Sequence, residues 1–330
     1  MKKRHHYVPQ FYLKRFCQDE KLHAFSKKTR QFVPKTKISN LMVKSHLYSI
    51  DNEGSKNAML EDALGNLENS CLYLFDKLDK QEALTDEDFS TMMFYLALQR
   101  SRTASALKRI QQMSQVASDF VAKTNVQLIN EAKTAGNNTV SLNGKEVDIS
   151  WLPSTIDESS VATEIDPDMA KINFLKHVDP VARELHKLNW TCLTIKNKDI
   201  GFITTDYPVY AISATDYPTF IKGWGVGTEG VTVFYPIGPK TILIGTKKAT
   251  NGIAYTEEYF KKKKIKHINA LTYLAADDQV CSAELPWIKK AVSLSKNPRY
   301  FRIRGVEKSF EQQVPVLGLD YEALFVGSRF

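Results

Sequence analysis

Two adjacent histidines open the run His5-His6-Tyr7-Val8-Pro9-Gln10-Phe11-Tyr12-Leu13-Lys14-Arg15-Phe16. Imidazole titrates near neutral pH, so such a pair can donate and accept protons or ligate a metal. Consecutive residues of an extended segment point to opposite faces, so both serve one site only if the backbone turns. Pro9 makes a turn there plausible and holds Val8 extended. The plain alternative is that one histidine satisfies a buried hydrogen bond while the other is exposed.

Other polar residues stand where apolar neighbours place them in or beside a core. Glu61 and Glu68 are seven residues apart along the edge of a leucine stripe, so they share one side of a helix. Gln99 falls inside an apolar stripe, where an amide is costly without partners. Arg102 follows three residues on. That pair suits a carboxylate or phosphate anchor, or a structural Arg-Glu pair with the first helix. Asp206 ends the apolar run Phe202-Ile203-Thr204-Thr205 before Tyr207-Pro208, a strand-end position that suits an orienting carboxylate or an Asx-turn.

Other signals are weaker. Gly223-Trp224-Gly225-Val226-Gly227 matches no phosphate-loop pattern and reads as a flexible loop. Lys247-Lys248 and Lys261-Lys262-Lys263-Lys264 with Lys266 form the densest positive stretch, a phosphate contact or simply a solvated helix face. No G-x-S-x-G, H-E-x-x-H or EF-hand pattern occurs.

These residues sit in a chain of 330 residues, 43% apolar, with a net charge of +8. That composition is globular, and the basic balance favours anionic partners such as nucleic acid or nucleotides. Cys17, Cys71, Cys192 and Cys281 form no C-x-x-C pair, so neither a zinc knuckle nor a disulfide framework is indicated. No apolar stretch approaches membrane-spanning length, and Pro9, Gln10, Lys14 and Arg15 break any leader-like run. A cytoplasmic protein without a membrane partner is expected.

The elements that must position the candidates follow from periodicity. Leu22 to Val33 reads as a hairpin with a polar turn. Leu60, Leu64, Leu67, Cys71, Leu74 and Leu78 make the stripe of one long helix. Thr85 with Asp88 resembles a capping box that opens a second helix, continued by Phe89, Met92, Met93, Leu96, Leu107 and Ile110 and antiparallel to the first. Asn143-Gly144 marks a surface hairpin within a polar insertion over 126–163. Asp166-Pro167 starts a third helix, with Pro180 implying a kink or restart. Runs at 190–195, 201–205, 231–235 and 241–245 are β-rich and are expected to share one sheet. Helical patterns return around 255–276 and 284–293, and 323–326 fits an edge strand. The predicted class is α+β: one domain over 1–330, with a helical half, two long antiparallel helices and a small mixed or antiparallel sheet. Its subregions are 1–125, 126–163 and 164–330.

The opening motif resembles the signature of a bacterial family known as domain of unknown function 4238. The likeness extends in register to Glu61 and Glu68, to Leu98-Gln99-x-x-Arg102 and to Phe202-Ile203-Thr204-Thr205-Asp206-x-Pro208. Tyr235-Pro236-Ile237-Gly238-Pro239 and the Asn269 segment are looser echoes. Thr205, Tyr207 and the Ile237-Gly238 pair depart from the family pattern, so the second half of the correspondence is the weaker. The resemblance implies that His5, His6, Glu61, Glu68, Gln99, Arg102 and Asp206 converge on one site. It also links the chain to defence against phage.

Histidine, carboxylate, amide and guanidinium together suit phosphoryl chemistry, with an imidazole as acid or base, carboxylates orienting it or binding a divalent metal, and Arg stabilising the phosphate. The leading expectation is a nuclease or related phosphodiester-cleaving effector. The second is a non-catalytic sensor or binding module whose cluster is a structural network. The third is an enzyme of a nucleotide or small phosphorylated metabolite.

Overall fold

Pro9, at φ −59°, ends an extended stretch and opens a helix. Arg4–His6 is strand β1 and Gln10–Lys14 is helix α1. The computed structural model describes residues 4–17, 19–52, 55–57, 59–213, 225–228, 230–247, 253–256, 262–296, 301–309 and 312–319. By internal contacts the chain divides into two units, residues 1–106 with 175–330, and residues 107–174.

Lys21–Ser26 (β2) and Gln31–Lys37 (β3) form the hairpin expected from their alternating pattern. Val43–Ser45 (β4) returns to pair antiparallel with β1, setting His5 opposite Lys44. Met42 and His46 bracket this short strand with φ of 51° and 53°, a left-handed backbone uncommon outside glycine. Ile50–Asn52 (β5) and Ser55–Asn57 (β6) make a small hairpin. Met59–Asp79 (α2) carries the leucine stripe inward, with Leu64, Leu74 and Leu78 buried.

Asp86–Ser101 (α3) opens on the capping box that Thr85 and Asp88 suggested, both reciprocal bonds being present. The second helix is not continuous through Leu107 and Ile110. It stops at Arg102, and Ala104–Thr134 (α4) begins anew. Thr103 supplies the reason: its hydroxyl accepts from the Ala106 N–H at 3.2 Å, the bond of a helix N-cap. Tyr48 meanwhile donates to the Arg102 carbonyl at 2.7 Å.

In the second unit Thr139–Leu142 (β7) and Lys145–Asp148 (β8) pair around Asn143 and Gly144, whose φ values of 52° and 77° fit the tight turn that dipeptide favours. Asn130 clamps Ile156 through both backbone atoms, at 2.9 and 2.8 Å. Asp119 accepts from Gln115 and Thr163, which holds its carboxyl below the usual range. Pro167–His186 (α5) leads back to the first unit and is unbroken at Pro180, the proline expected to kink or restart it.

Asn189–Thr194 (β9), Thr204–Thr205 (β10), Tyr210–Ser213 (β11), Val231–Pro236 (β12), Thr241–Thr246 (β13) and Ile253–Thr256 (β14) follow, then Lys262–Ala275 (α6), Gln279–Ser282 (β15) and Leu285–Ser295 (α7). Phe301–Ser309 (β16) and Gln312–Leu319 (β17) form a terminal hairpin. The runs expected to share one sheet divide between two. A five-stranded sheet orders β11-β12-β13-β9-β14, antiparallel but for the β9–β14 pair. β10 instead joins β15, β2 and β3 in a four-stranded antiparallel sheet. Tyr255, read as helical, lies in β14. Residues 323–326 lie outside the described residues.

Helix α6 covers the larger sheet, where Ile265, Ile268 and Leu271 pack with Leu193, Phe202, Phe234 and Ile242. Burying one such aliphatic chain is worth roughly 1.5–3 kcal/mol. Lys27 closes the end of α6, its ammonium donating to the carbonyls of Tyr273, Leu274 and Ala276, where the helix dipole is negative. The fold is α+β. Among the described residues no helix is long and apolar enough to cross a membrane.

Candidate functional site

The break between α3 and α4 leaves Arg102 at a helix end with its side chain turned inward, 2% exposed. Its Nη1 donates to Glu68 Oε1 of α2, pairing two helices by charge. Nη2 donates to the His6 carbonyl at 2.7 Å, and Nε points at the Tyr48 hydroxyl at 3.4 Å. Burial alone would lower the Arg102 pKa, but Tyr48 and Glu68 outweigh it and the net direction is upward. The cation is therefore permanent, and its fork is occupied by partners within the fold.

His5 is fully buried and stacks on Tyr48 with ring centroids 5.8 Å apart. Its Nδ1 accepts the Tyr48 backbone N–H at 3.0 Å, so in the neutral ring the proton sits on Nε2. His6 turns to the other side of β1, as alternation along a strand requires, and is half-buried. Its Nδ1 lies 3.4 Å from Gln10 Nε2, and its Nε2 is buried without a hydrogen-bond partner. Burial, together with Arg4 and Arg102, holds His6 below the usual imidazole range, against the opposing carbonyls of Ser39 and Ile38.

Gln99, 1% exposed, donates to the Tyr7 carbonyl at 3.0 Å, while its Oε1 finds no partner. Tyr7 in turn donates its backbone N–H to Met42 at 3.2 Å, and Met42 donates to the Gln279 side chain at 2.9 Å. Asp206 closes β10 against β15. Its carboxylate accepts the backbone N–H groups of Asp277, Asp278 and Gln279 at 2.9, 2.8 and 2.9 Å, with the Thr205 hydroxyl at 3.1 Å. Burial raises its pKa, only partly offset by those donors. The Asx-turn alternative does not apply, because the acceptor reaches a distant segment. Ser105, just past the helix break, donates to Asp277 and so links the Arg102 end to the Asp206 end.

The rest of the opening motif is tied down as firmly. Tyr12 donates to the Pro236 carbonyl at 2.6 Å and, its one proton thus placed, accepts from Thr204 at 2.7 Å. Arg15 bonds the Ile237 carbonyl at 2.5 Å and Asp79 at 2.6 Å, over the Phe75 ring. Asn269 accepts from the Ile203 N–H and donates to the Gly201 carbonyl. His5, His6, Glu68, Gln99 and Arg102 thus gather around β1, and Asp206 connects through bridging residues. Glu61 lies in α2 with its side chain outside the described residues. Tyr48, Met42, Asp277 and Gln279 are the members that residue types did not single out.

Chemically the cluster is rich in committed groups. Among the described residues no set of three or more His, Cys, Asp or Glu side chains gathers to hold a metal ion. His6 is half-buried; its Nδ1 faces the Gln10 amide, so in the neutral ring the proton sits on the buried Nε2.

The segments that interlock here are the ones the resemblance connected. A family model described as Protein of unknown function (DUF4238) matches residues 4–284. The chain belongs to this family. The DUF4238 match takes in β1, both helices of the Glu68–Arg102 pair, β10 and α6, and ends at Glu284 just before α7. No curated protein and no solved structure matches the chain.

Proposed function

We propose that this DUF4238 chain is a non-catalytic nucleic-acid-binding module in which the His/Gln/Glu/Arg cluster is a buried lock and not a reaction centre. The carrying observation is Arg102. At 2% exposure, with Glu68, the His6 carbonyl and Tyr48 around its fork, it has no face open to a substrate phosphate. Gln99 and Asp206 are likewise committed to backbone partners. The net charge of +8, with lysines on α6 and α7, supports a polyanionic partner. A role in bacterial defence against phage is what the family likeness implies.

The test is fluorescence anisotropy with labelled single-stranded RNA and duplex DNA across a salt series, alongside gels of the same nucleic acids incubated with Mg²⁺, Mn²⁺ or chelator. Binding that weakens steeply with salt, and intact nucleic acid, are expected. Absence of binding at low salt, or cleavage abolished by His6→Gln, overturns the reading.

One observation favours phosphodiester cleavage as a second reading. His6 is half-buried with a lowered pKa, hence neutral near pH 7, its Nδ1 beside Gln10 is the nitrogen able to take a proton, and the Arg4 cation lies nearby. Cleavage lost in His6→Gln without any change in unfolding would select it.

A further inference from the structure

Away from the cluster, the first two turns of α6 and α7 and the loop before Phe202 enclose a cleft of about 240 Å³. Lys262, Lys266 and Asn269 line it from α6, Trp287 and Lys290 from α7, and Asp199 from the loop. Lys262 is neutralised by Asp199, with Nζ and Oδ2 2.5 Å apart. Lys266 and Lys290 have no carboxylate partner among the described residues, so two cations face one cavity without compensation. Like charges held together without a counter-ion favour an anion between them. The N-terminal turns of two helices at the same cleft add positive field.

The aromatic part of the lining is fixed. Trp287 donates its indole N–H to the Asp199 carbonyl at 3.2 Å, and Lys240 sits 5.5 Å from the ring. Gly201 packs against the same ring. A Cβ there would run into Trp287 Cζ3 and lie 2.5 Å from the Pro239 carbonyl oxygen. The Asn269 amide is already held by Ile203 and Gly201. Apart from the Asp199 carboxylate, which Lys262 neutralises, the charged groups that line the cleft are cationic.

We propose that this cleft binds one phosphate-bearing nucleotide unit, Lys266 and Lys290 holding the phosphate and Trp287 offering the flat wall for the base. At about 240 Å³ the cleft lies below the roughly 300–1,000 Å³ usual for drug-sized ligands, so the proposal is limited to one nucleotide unit with its base only partly enclosed. Stacking on an aromatic wall together with lysine-phosphate contact is the chemistry by which single strands are held without sequence preference. The choice of a nucleotide as ligand rests on the nucleic-acid reading above; the cleft and its cations do not. A free mononucleotide and the end of a strand carry the same chemistry.

The experiment titrates the full chain with inorganic phosphate, with AMP and with a labelled single-stranded oligonucleotide, comparing wild type, Lys266→Gln, Lys290→Gln and the double variant. Trp287→Phe separates the aromatic contribution, and circular dichroism confirms that each variant folds. Each lysine variant is expected to weaken AMP or oligonucleotide binding about tenfold, the size of one lost charge-assisted contact. AMP binding marks a free nucleotide as the source, and binding of the oligonucleotide alone marks a strand end. Binding of all three probes equal in wild type and double variant sinks the cleft, and oligonucleotide binding in that case leaves the nucleic-acid reading standing. Phosphate or AMP binding lost in the double variant, with no oligonucleotide bound by wild type, supports the cleft and sinks that reading. No binding of any probe overturns both.

Discussion

Arg102 and Glu68 form a charge pair in which the guanidinium side chain is 3% exposed and the carboxylate 18%. The pair joins α2 to the break between α3 and α4, and the same guanidinium holds the backbone of β1. Removing one partner of a buried pair leaves the other charge stranded, at a cost of about 3–5 kcal/mol. Glu68→Gln is expected to lose less than Arg102→Met, because the carboxylate is partly exposed and its deletion leaves Arg102 two other acceptors. Urea unfolding of both variants checks the order; equal losses, or none, contradict it.

His6 gives a pH dependence of definite sign. Its folded-state pKa lies below the ordinary 6.5, so the unfolded chain takes up the proton first as pH falls. Stability is therefore full above that value and declines as pH drops below it toward the folded-state pKa. The slope of unfolding free energy between pH 7 and 5 is expected to flatten in His6→Gln. An unchanged slope would mean that His6 does not carry it.

Asp88 acts at lower pH. Lys77, then the Thr85 N–H, hold its carboxyl well below 3.8, with Tyr73 as a further donor. Its contribution is present above 3.8 and is lost as pH falls through the folded-state value. Asp88→Asn is expected to be less stable than wild type at pH 7 and to converge toward it in acid. Thr85→Ala, which removes the helix cap, is expected to cost about 1 kcal/mol. Thermal melts at pH 7 and pH 3 read both.

Gly201→Ala puts a methyl into the Trp287 ring and the Pro239 carbonyl, and the backbone oxygen cannot yield as a side chain does. A loss of roughly 1–3 kcal/mol is expected, as for other overpacked sites. Trp287 fluorescence should shift with it. Wild-type stability with an unshifted spectrum would show that the ring does not sit against Gly201.

How far the fold was legible depended on how local its cause was. The leucine stripe of α2, the Thr85–Asp88 cap and the Asn143-Gly144 hairpin are written in residues a few positions apart. The assignment of β10 to the smaller sheet depends on pairing Thr204 with Cys281, which no local pattern reveals. The break at Thr103 was hidden because apolar spacing continues across it to Leu107 and Ile110. His5, His6, Glu68, Gln99 and Arg102 gather around β1, and on the reading proposed above they act there as a lock. Arg102, Gln99, Tyr12 and Arg15 all bond backbone carbonyls, at His6, Tyr7, Pro236 and Ile237, and a carbonyl is contributed by any residue type. Residue types suggest a reaction centre, whereas the backbone partners of these side chains are visible only once the chain is folded.

The most direct test of the lock is the Arg102→Met variant, measured for unfolding free energy and, in its folded state, for oligonucleotide affinity. A loss of about 3–5 kcal/mol in stability with oligonucleotide affinity unchanged is expected. Unchanged stability with affinity or cleavage lost would contradict the lock and place Arg102 at a substrate.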